Sequence, residues 1–110
     1  MAKYGNRKTE VDGYQFDSLA ESRRYLELKL LERGGVISDL ELQPRFELQP
    51  SFKRGKKTIA AIVYIADFSY AEDGKQIAED VKGHATEVFR IKQKLFQFKY
   101  PDVELRIIPA

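Results

Sequence analysis

A chain of 110 residues with 43% hydrophobic residues, seven Phe and six Tyr is long enough for a single well-filled domain. It has no cysteine and a single histidine, His84, which excludes disulfides, thiolate zinc sites, cysteine nucleophiles and multi-histidine metal centres; a metal here must be held mainly by carboxylate oxygens. The net charge of +2 is too small to indicate a polyanionic partner by itself, and no apolar run approaches the ~20 residues that a bilayer crossing needs.

The basic start Met-Ala-Lys-Tyr-Gly-Asn-Arg-Lys lacks the apolar stretch of a secretory signal, so no membrane role and a cytoplasmic setting are expected. Thr9–Val11 and Tyr14–Phe16 read as a short hairpin closed by Asp12-Gly13, making residues 1–17 an N-terminal hairpin extension of one domain spanning 1–110. Ser18 is a good helix N-cap, and Glu21 follows three residues later. Leu19, Leu26 and Leu30 then recur at near-helical spacing up to Arg33, where Gly34-Gly35 ends the helix.

Extended segments follow at Val36–Leu42 and Phe46–Leu48, broken by Pro44 and Pro50. Lys53-Arg54-Gly55-Lys56-Lys57 forms a basic turn. Thr58–Ala66 is apolar at both parities, the pattern of a central strand covered on both faces. Asp67–Ala71 and Gln76–Lys82 make a second hairpin around Asp73-Gly74. Thr86–Lys99 reads as a second helix, with Val88, Ile91, Leu95 and Phe98 at core spacing, stopped by Pro101. Val103–Ile108 adds a last strand. The expected architecture is α/β, a mixed central sheet flanked by two helices.

The second hairpin carries the chemistry. With Asp73-Gly74 as a two-residue turn, Glu72 opposes Lys75, and the same register sets Asp67 opposite Asp80. Facing side chains lie roughly 4.5–5.5 Å apart, where like charges repel, and Asp is a poor strand former. Lys82 shares the face of Asp80, about 7 Å further along. The opposite face carries Ala66, Phe68 and Tyr70 against Ile77, Glu79 and Val81, which is core apart from Glu79. A divalent cation between the two carboxylates would cancel their repulsion and create a Lewis-acid centre. A surface ion pair of Asp80 with Lys82, leaving Asp67 exposed, is the alternative. Glu21 likewise has two readings: a capping box that returns its carboxylate to the Ser18 amide, or a carboxylate leaning over the sheet edge. Glu79 rivals Asp80 as the acid, and a bulge in the hairpin would exchange them.

Glu21 on a first helix, Asp67 at a strand end and Asp80-Val81-Lys82 on the next strand resemble the PD-(D/E)xK nuclease superfamily, in its aspartate-x-lysine form. More closely, Phe16–Glu21, Leu40–Pro44, Tyr64–Phe68 and Glu79–Gly83 resemble a phage and prophage family known mainly as a domain of unknown function, over nearly the whole chain. The resemblance implies a restriction-endonuclease-like core and catalytic residues Glu21, Asp67, Asp80 and Lys82. It implies magnesium, replaceable by manganese, held by Asp67 and Asp80 with the Val81 carbonyl and Glu21 completing the shell. Lys82 would orient the attacking water or stabilise charge on the phosphate. The proline of the superfamily name is Ala66 here.

Four charges in five residues, Lys53, Arg54, Lys56 and Lys57, would reach along DNA phosphates; a solvated hairpin tip is the plainer reading. Arg23, Arg24, Arg90 and Lys94 could flank the same substrate, although helix-surface charge accounts for each pair. Gln43 and His84 read as a strand-end amide and a turn histidine, with an approach to the site as the less favoured alternative for each. The implied activity is a phage-type DNA endonuclease working in a bacterial cytoplasm; branched or recombination intermediates, in the manner of Holliday-junction resolvases, and structure-independent nicking or end processing are equally open as its task. No organic cofactor is expected, and a homodimer is compatible because one site cuts one strand. The alternative is a non-catalytic nucleic-acid-binding accessory protein, for which clustered acids facing phosphates would have no purpose.

Overall fold

The computed structural model describes residues 8–110. In chain order the elements are β1 (Thr9–Val11), β2 (Tyr14–Phe16), α1 (Leu19–Arg33), β3 (Ser38–Leu42), β4 (Arg45–Gln49), β5 (Phe52–Arg54), β6 (Lys57–Ile59), β7 (Ile62–Ile65), β8 (Phe68–Glu72), β9 (Lys75–Lys82), α2 (Glu87–Lys99) and β10 (Val103–Pro109). The expected segment Met1–Arg7 of the N-terminal extension lies outside the described residues.

Both expected hairpins form in the expected register. Val11 faces Tyr14 across Asp12-Gly13, and Glu72 faces Lys75 across Asp73-Gly74. In each turn an Asp at φ near 51–52° precedes a Gly at 78–82°. This left-handed pair matches strand twist, and Gly enters it without steric cost.

The central sheet has four strands in the order β10-β9-β8-β3, with β9 antiparallel to β8 and parallel to β10. It is therefore mixed, as expected. On one face α1 and the first hairpin bury Phe16, Tyr25, Leu28 and Ile37 against Phe68, Tyr70 and Ile77. On the other, α2 and the β4–β7 pair bury Phe46, Tyr64, Ala66, Phe89 and Phe96 over Ala78, with Val103 and Leu105 of β10 alongside. Each strand thus sends alternate residues to two different cores.

Glu79 lies in the first core, fully buried. The Arg24 guanidinium grips it twice, Nε to Oε1 at 2.6 Å and Nη2 to Oε2 at 2.9 Å, and the Tyr70 hydroxyl donates to it at 2.5 Å. A bidentate, doubly supported carboxylate is what makes burial of that charge tolerable.

Three expectations are corrected. Thr58–Ala66 is not one central strand. It breaks at Ala60-Ala61 into β6, paired with β5, and β7, paired with β4. The small alanines give that stretch little to pack, and Ile62 and Ile65 stay exposed, so its two-sided apolarity does not report burial on two faces. The helices occur where expected but turn differently. In α1, Leu19, Leu26 and Leu30 face outward while Ser22, Tyr25 and Leu28 turn inward. In α2, Phe89 and Phe96 hold the core and Val88, Ile91, Leu95 and Phe98 face outward. Each helix carries apolar residues on more than one side, and packing against the sheet takes Tyr25 and Leu28 of α1 and Phe89 and Phe96 of α2 inside.

Candidate active site

Asp67 follows β7 by two residues and sits just before β8, where the chain crosses from one small ladder into the main sheet. Its carbonyl accepts the Gln43 N–H at 2.9 Å, and its own N–H donates to the Glu79 carbonyl at 3.0 Å. The regular ladder ends at the Phe68–Glu79 pair, so Asp67 meets Asp80 one step beyond it. There the Asp67 side chain replaces a ladder carbonyl, its Oδ2 accepting the Val81 N–H at 2.7 Å. Strand alternation then aims Asp80 and Lys82 to the side opposite Glu79. Lys82 Nζ stands 3.6 Å from Asp80 Oδ1 and lies 4.6 Å above the Phe89 ring. Tyr64, three residues before Asp67, donates its hydroxyl to Asp80 Oδ2 at 2.5 Å.

Glu21 arrives from the other side. Ser18 Oγ caps α1 by accepting the Glu21 N–H at 3.1 Å, so the cap forms. The Glu21 carboxylate takes support from the Asp17 backbone and lies in hydrogen-bonding contact with Asp67, which in turn contacts Asp80. Only the Ser18 half of the capping box is seen, and the Glu21 carboxylate turns towards Asp67 instead, because the first turn of the helix abuts the end of the sheet.

Three carboxyl groups thus form a chain, Glu21 to Asp67 to Asp80, with Lys82 as its cation. Burial is the main cause that pushes the Asp67 and Asp80 carboxyls up to about 6. The Val81 amide works against this at Asp67, and the Tyr64 hydroxyl works against it at Asp80. Burial also raises Glu21. The Tyr64 phenol is pushed far up by burial and by the Asp80 carboxylate beside it, so it remains a donor. Acids held this close share protons or require a cation.

A cleft of about 660 Å³ opens here, lined by residues 17–21, Asp67, residues 80–84 and Ala110. It contains all four expected catalytic residues together with Val81 and His84. A smaller hollow beside it, walled by residues 13–16, Leu42 and Gln43, shares Glu21 and Asp67. Gln43 holds a left-handed φ of 50°, uncommon for a residue with a side chain, and its amide pins Asp67.

The expected nucleic-acid contacts are distributed differently. Lys53, Arg54, Lys56 and Lys57 are exposed on the β5–β6 hairpin, Arg23 on α1, and Arg90 and Lys94 on α2; none lines the cleft. Arg24 is turned inward onto Glu79, so it is not available to a substrate, and Glu79 is correspondingly withdrawn from rivalry with Asp80. Tyr64 was missed from the sequence. Its signal was a hydroxyl within an otherwise apolar run, which on burial must find a partner.

The donor set is chemically suited to a hard divalent cation: three carboxylates, with the Val81 carbonyl nearby and no soft ligand. Among the described residues no three Asp, Glu, His or Cys side chains are disposed together to hold a metal ion.

The chain belongs to a family described as "Protein of unknown function (DUF1064)". The family model matches residues 1–110, the whole of the chain, so the family assignment takes in every residue of the cleft. No curated protein matches the chain. Among the described residues no helix is long and apolar enough to cross a membrane.

Proposed function

We propose that this family member is a metal-dependent DNA endonuclease of the PD-(D/E)xK type, with Glu21, Asp67, Asp80 and Lys82 as its catalytic residues. One observation carries the reading. Three segments distant in sequence bring buried Glu21, half-buried Asp67 and buried Asp80 into a chain of acids beside Lys82, in an open cleft. Such a cluster opposes folding, and perturbed carboxyls in a cleft are a mark of function.

Asp67 and Asp80 would hold magnesium or manganese, assisted by the Val81 carbonyl, with Glu21 reaching it directly or through water. Bound there, the ion would supply Lewis-acid chemistry, polarising the phosphate and lowering the pKa of a water molecule. The chain's own groups do the rest. Tyr64 keeps Asp80 in one orientation. Lys82, held by Asp80 and the Phe89 ring, stands where it can orient the attacking water or meet charge developing on the phosphate oxygens. The water oxygen bonds to phosphorus as it gives up a proton to solvent, and the bond from phosphorus to the leaving sugar oxygen breaks, that oxygen taking up a proton from solvent. The β5–β6 hairpin supplies backbone affinity outside the cleft.

The test is cleavage of labelled duplex, flap, single-stranded and four-way-junction DNA by the protein and by Asp80→Ala, with magnesium, manganese or EDTA. Metal-dependent cleavage lost in the variant is expected. No cleavage of any substrate, with manganese binding absent by calorimetry and DNA binding intact, would leave the protein a non-catalytic binder.

A further inference from the structure

The cleft has a side chamber that the cleavage chemistry does not use. The hollow of about 310 Å³ beside it is bounded by β2 and the end of β3 and shares Glu21 and Asp67 with the cleft. An occupant of the hollow therefore lies against the same two acids as the scissile phosphate. Its volume is at the lower end of the range for small-ligand sites.

Its walls are of two kinds. Tyr14 is 49% exposed, although it alternates along β2 onto the same face as buried Phe16. Its ring lies 5.9 Å from that of Tyr25, which is buried and donates its hydroxyl to Asp12 Oδ2 at 2.9 Å. An exposed ring propped by an anchored neighbour is a ready stacking platform. The second wall is Leu42 with Gln43. Gln43 is exposed, and its left-handed backbone, pinned by its N–H to the Asp67 carbonyl, takes the chain out of β3 at this point. A glutamine amide presents both donors and an acceptor.

Charge decides what kind of group the hollow takes. Among the described residues that line it there is no Lys, Arg or His, and its only charges are the two shared carboxylates. The cleft beside it has Lys82 and His84. A phosphate is therefore held in the cleft and repelled from the hollow. What suits the hollow is a neutral, planar group with a face to stack and hydrogen-bonding edges, carried next to a phosphate. A nucleobase has all of these. A base inside a duplex has both faces covered by its neighbours, so only an unpaired or extruded one can enter a concave site.

We propose, on the nuclease reading of the cleft, that the hollow bounded by Tyr14, Leu42 and Gln43 receives one unpaired nucleobase beside the scissile phosphate. DNA with an extrahelical nucleotide is then the preferred substrate, and fully paired duplex a poor one.

Fluorescence anisotropy, with calcium in place of magnesium, tests it on three labelled duplexes: fully paired, with one bulged adenine, and with the same bulge abasic. The full chain should bind the bulged adenine about 5- to 100-fold more tightly than the abasic bulge, the contribution of one base stacked on an aromatic ring. Tyr14→Ala should bind the two bulges alike, and Tyr14→Phe should restore the difference. Gln43→Gly, which suits the left-handed backbone, should narrow it with the aromatic ring untouched. Circular dichroism checks that each variant keeps the fold. With magnesium, cleavage should fall next to the bulge. Equal binding of the two bulges by the wild type, or a difference that a folded Tyr14→Ala protein retains, would overturn the proposal. Metal-dependent cleavage alongside that result would spare the nuclease reading. A base-dependent difference without cleavage would do the reverse, keeping the base site and removing the nuclease. Failure to bind any of the three duplexes would overturn both.

Discussion

Tyr64 and Arg24 do the same job for two adjacent carboxylates and should fail in opposite ways. Tyr64 holds Asp80, a group the reading uses for metal, so Tyr64→Phe should weaken manganese binding about 10–100-fold, as loss of an outer partner of a ligand does. The fold should survive, and calorimetry would show the change; an unaltered manganese affinity would remove Tyr64 from that role. Arg24 holds Glu79, which is fully buried and takes no part in the cleft. Arg24→Ala leaves that charge unpaired and should lower stability by about 3–5 kcal/mol in urea unfolding, against less than about 0.5 kcal/mol for exposed Arg23→Ala. Sequence made Asp67, Asp80 and Lys82 legible because strand alternation and a two-residue turn fix which side chains share a face. It could not divide Arg23 from Arg24, or Asp80's partner from the rest of its strand, because those depend on contacts between segments far apart in the chain.

The hairpins were legible as elements because Asp-Gly turns act locally. The facing of the helices was not, since each has apolar residues on more than one side and only tertiary packing chooses between them. The β5–β6 hairpin also belongs to this scale. Lys53, Arg54, Lys56 and Lys57 are all exposed on it and away from the cleft. Replacing the four by Ala should leave the cleavage rate at saturating DNA unchanged while raising the DNA concentration needed. The dependence of log affinity on log salt should flatten by up to about 3–4, one counterion's worth per lost phosphate contact. Binding measured by fluorescence anisotropy across salt concentrations decides this, and an unchanged slope would mean that the hairpin tip is merely solvated.

For the whole molecule, a site that gathers acids is a load on the fold, and the load has a sign. The Asp67 and Asp80 carboxyls stand at about 6 in the folded chain against an ordinary 3.8. The folded state therefore binds protons that the unfolded chain has released, and stability falls as pH rises between those values. The benefit is fully present below about pH 4 and gone above about pH 6, a loss on the order of 2–3 kcal/mol when the coupling of the pair is allowed for. In EDTA the melting temperature should fall across that window, and Asp80→Asn, which removes one charge from the cluster, should flatten the fall and raise the melting temperature at pH 7. An ion that binds only the folded chain adds about 2.7 kcal/mol at a hundred times its dissociation constant. Magnesium should accordingly restore the wild type at pH 7 and do little for Asp80→Asn. Scanning calorimetry of both proteins, with and without magnesium, separates the two ideas. If the EDTA curve falls but magnesium changes nothing, the acids are a strained cluster with no metal to serve. A curve flat in EDTA would mean that Glu21, Asp67 and Asp80 are less tightly coupled than their contacts require.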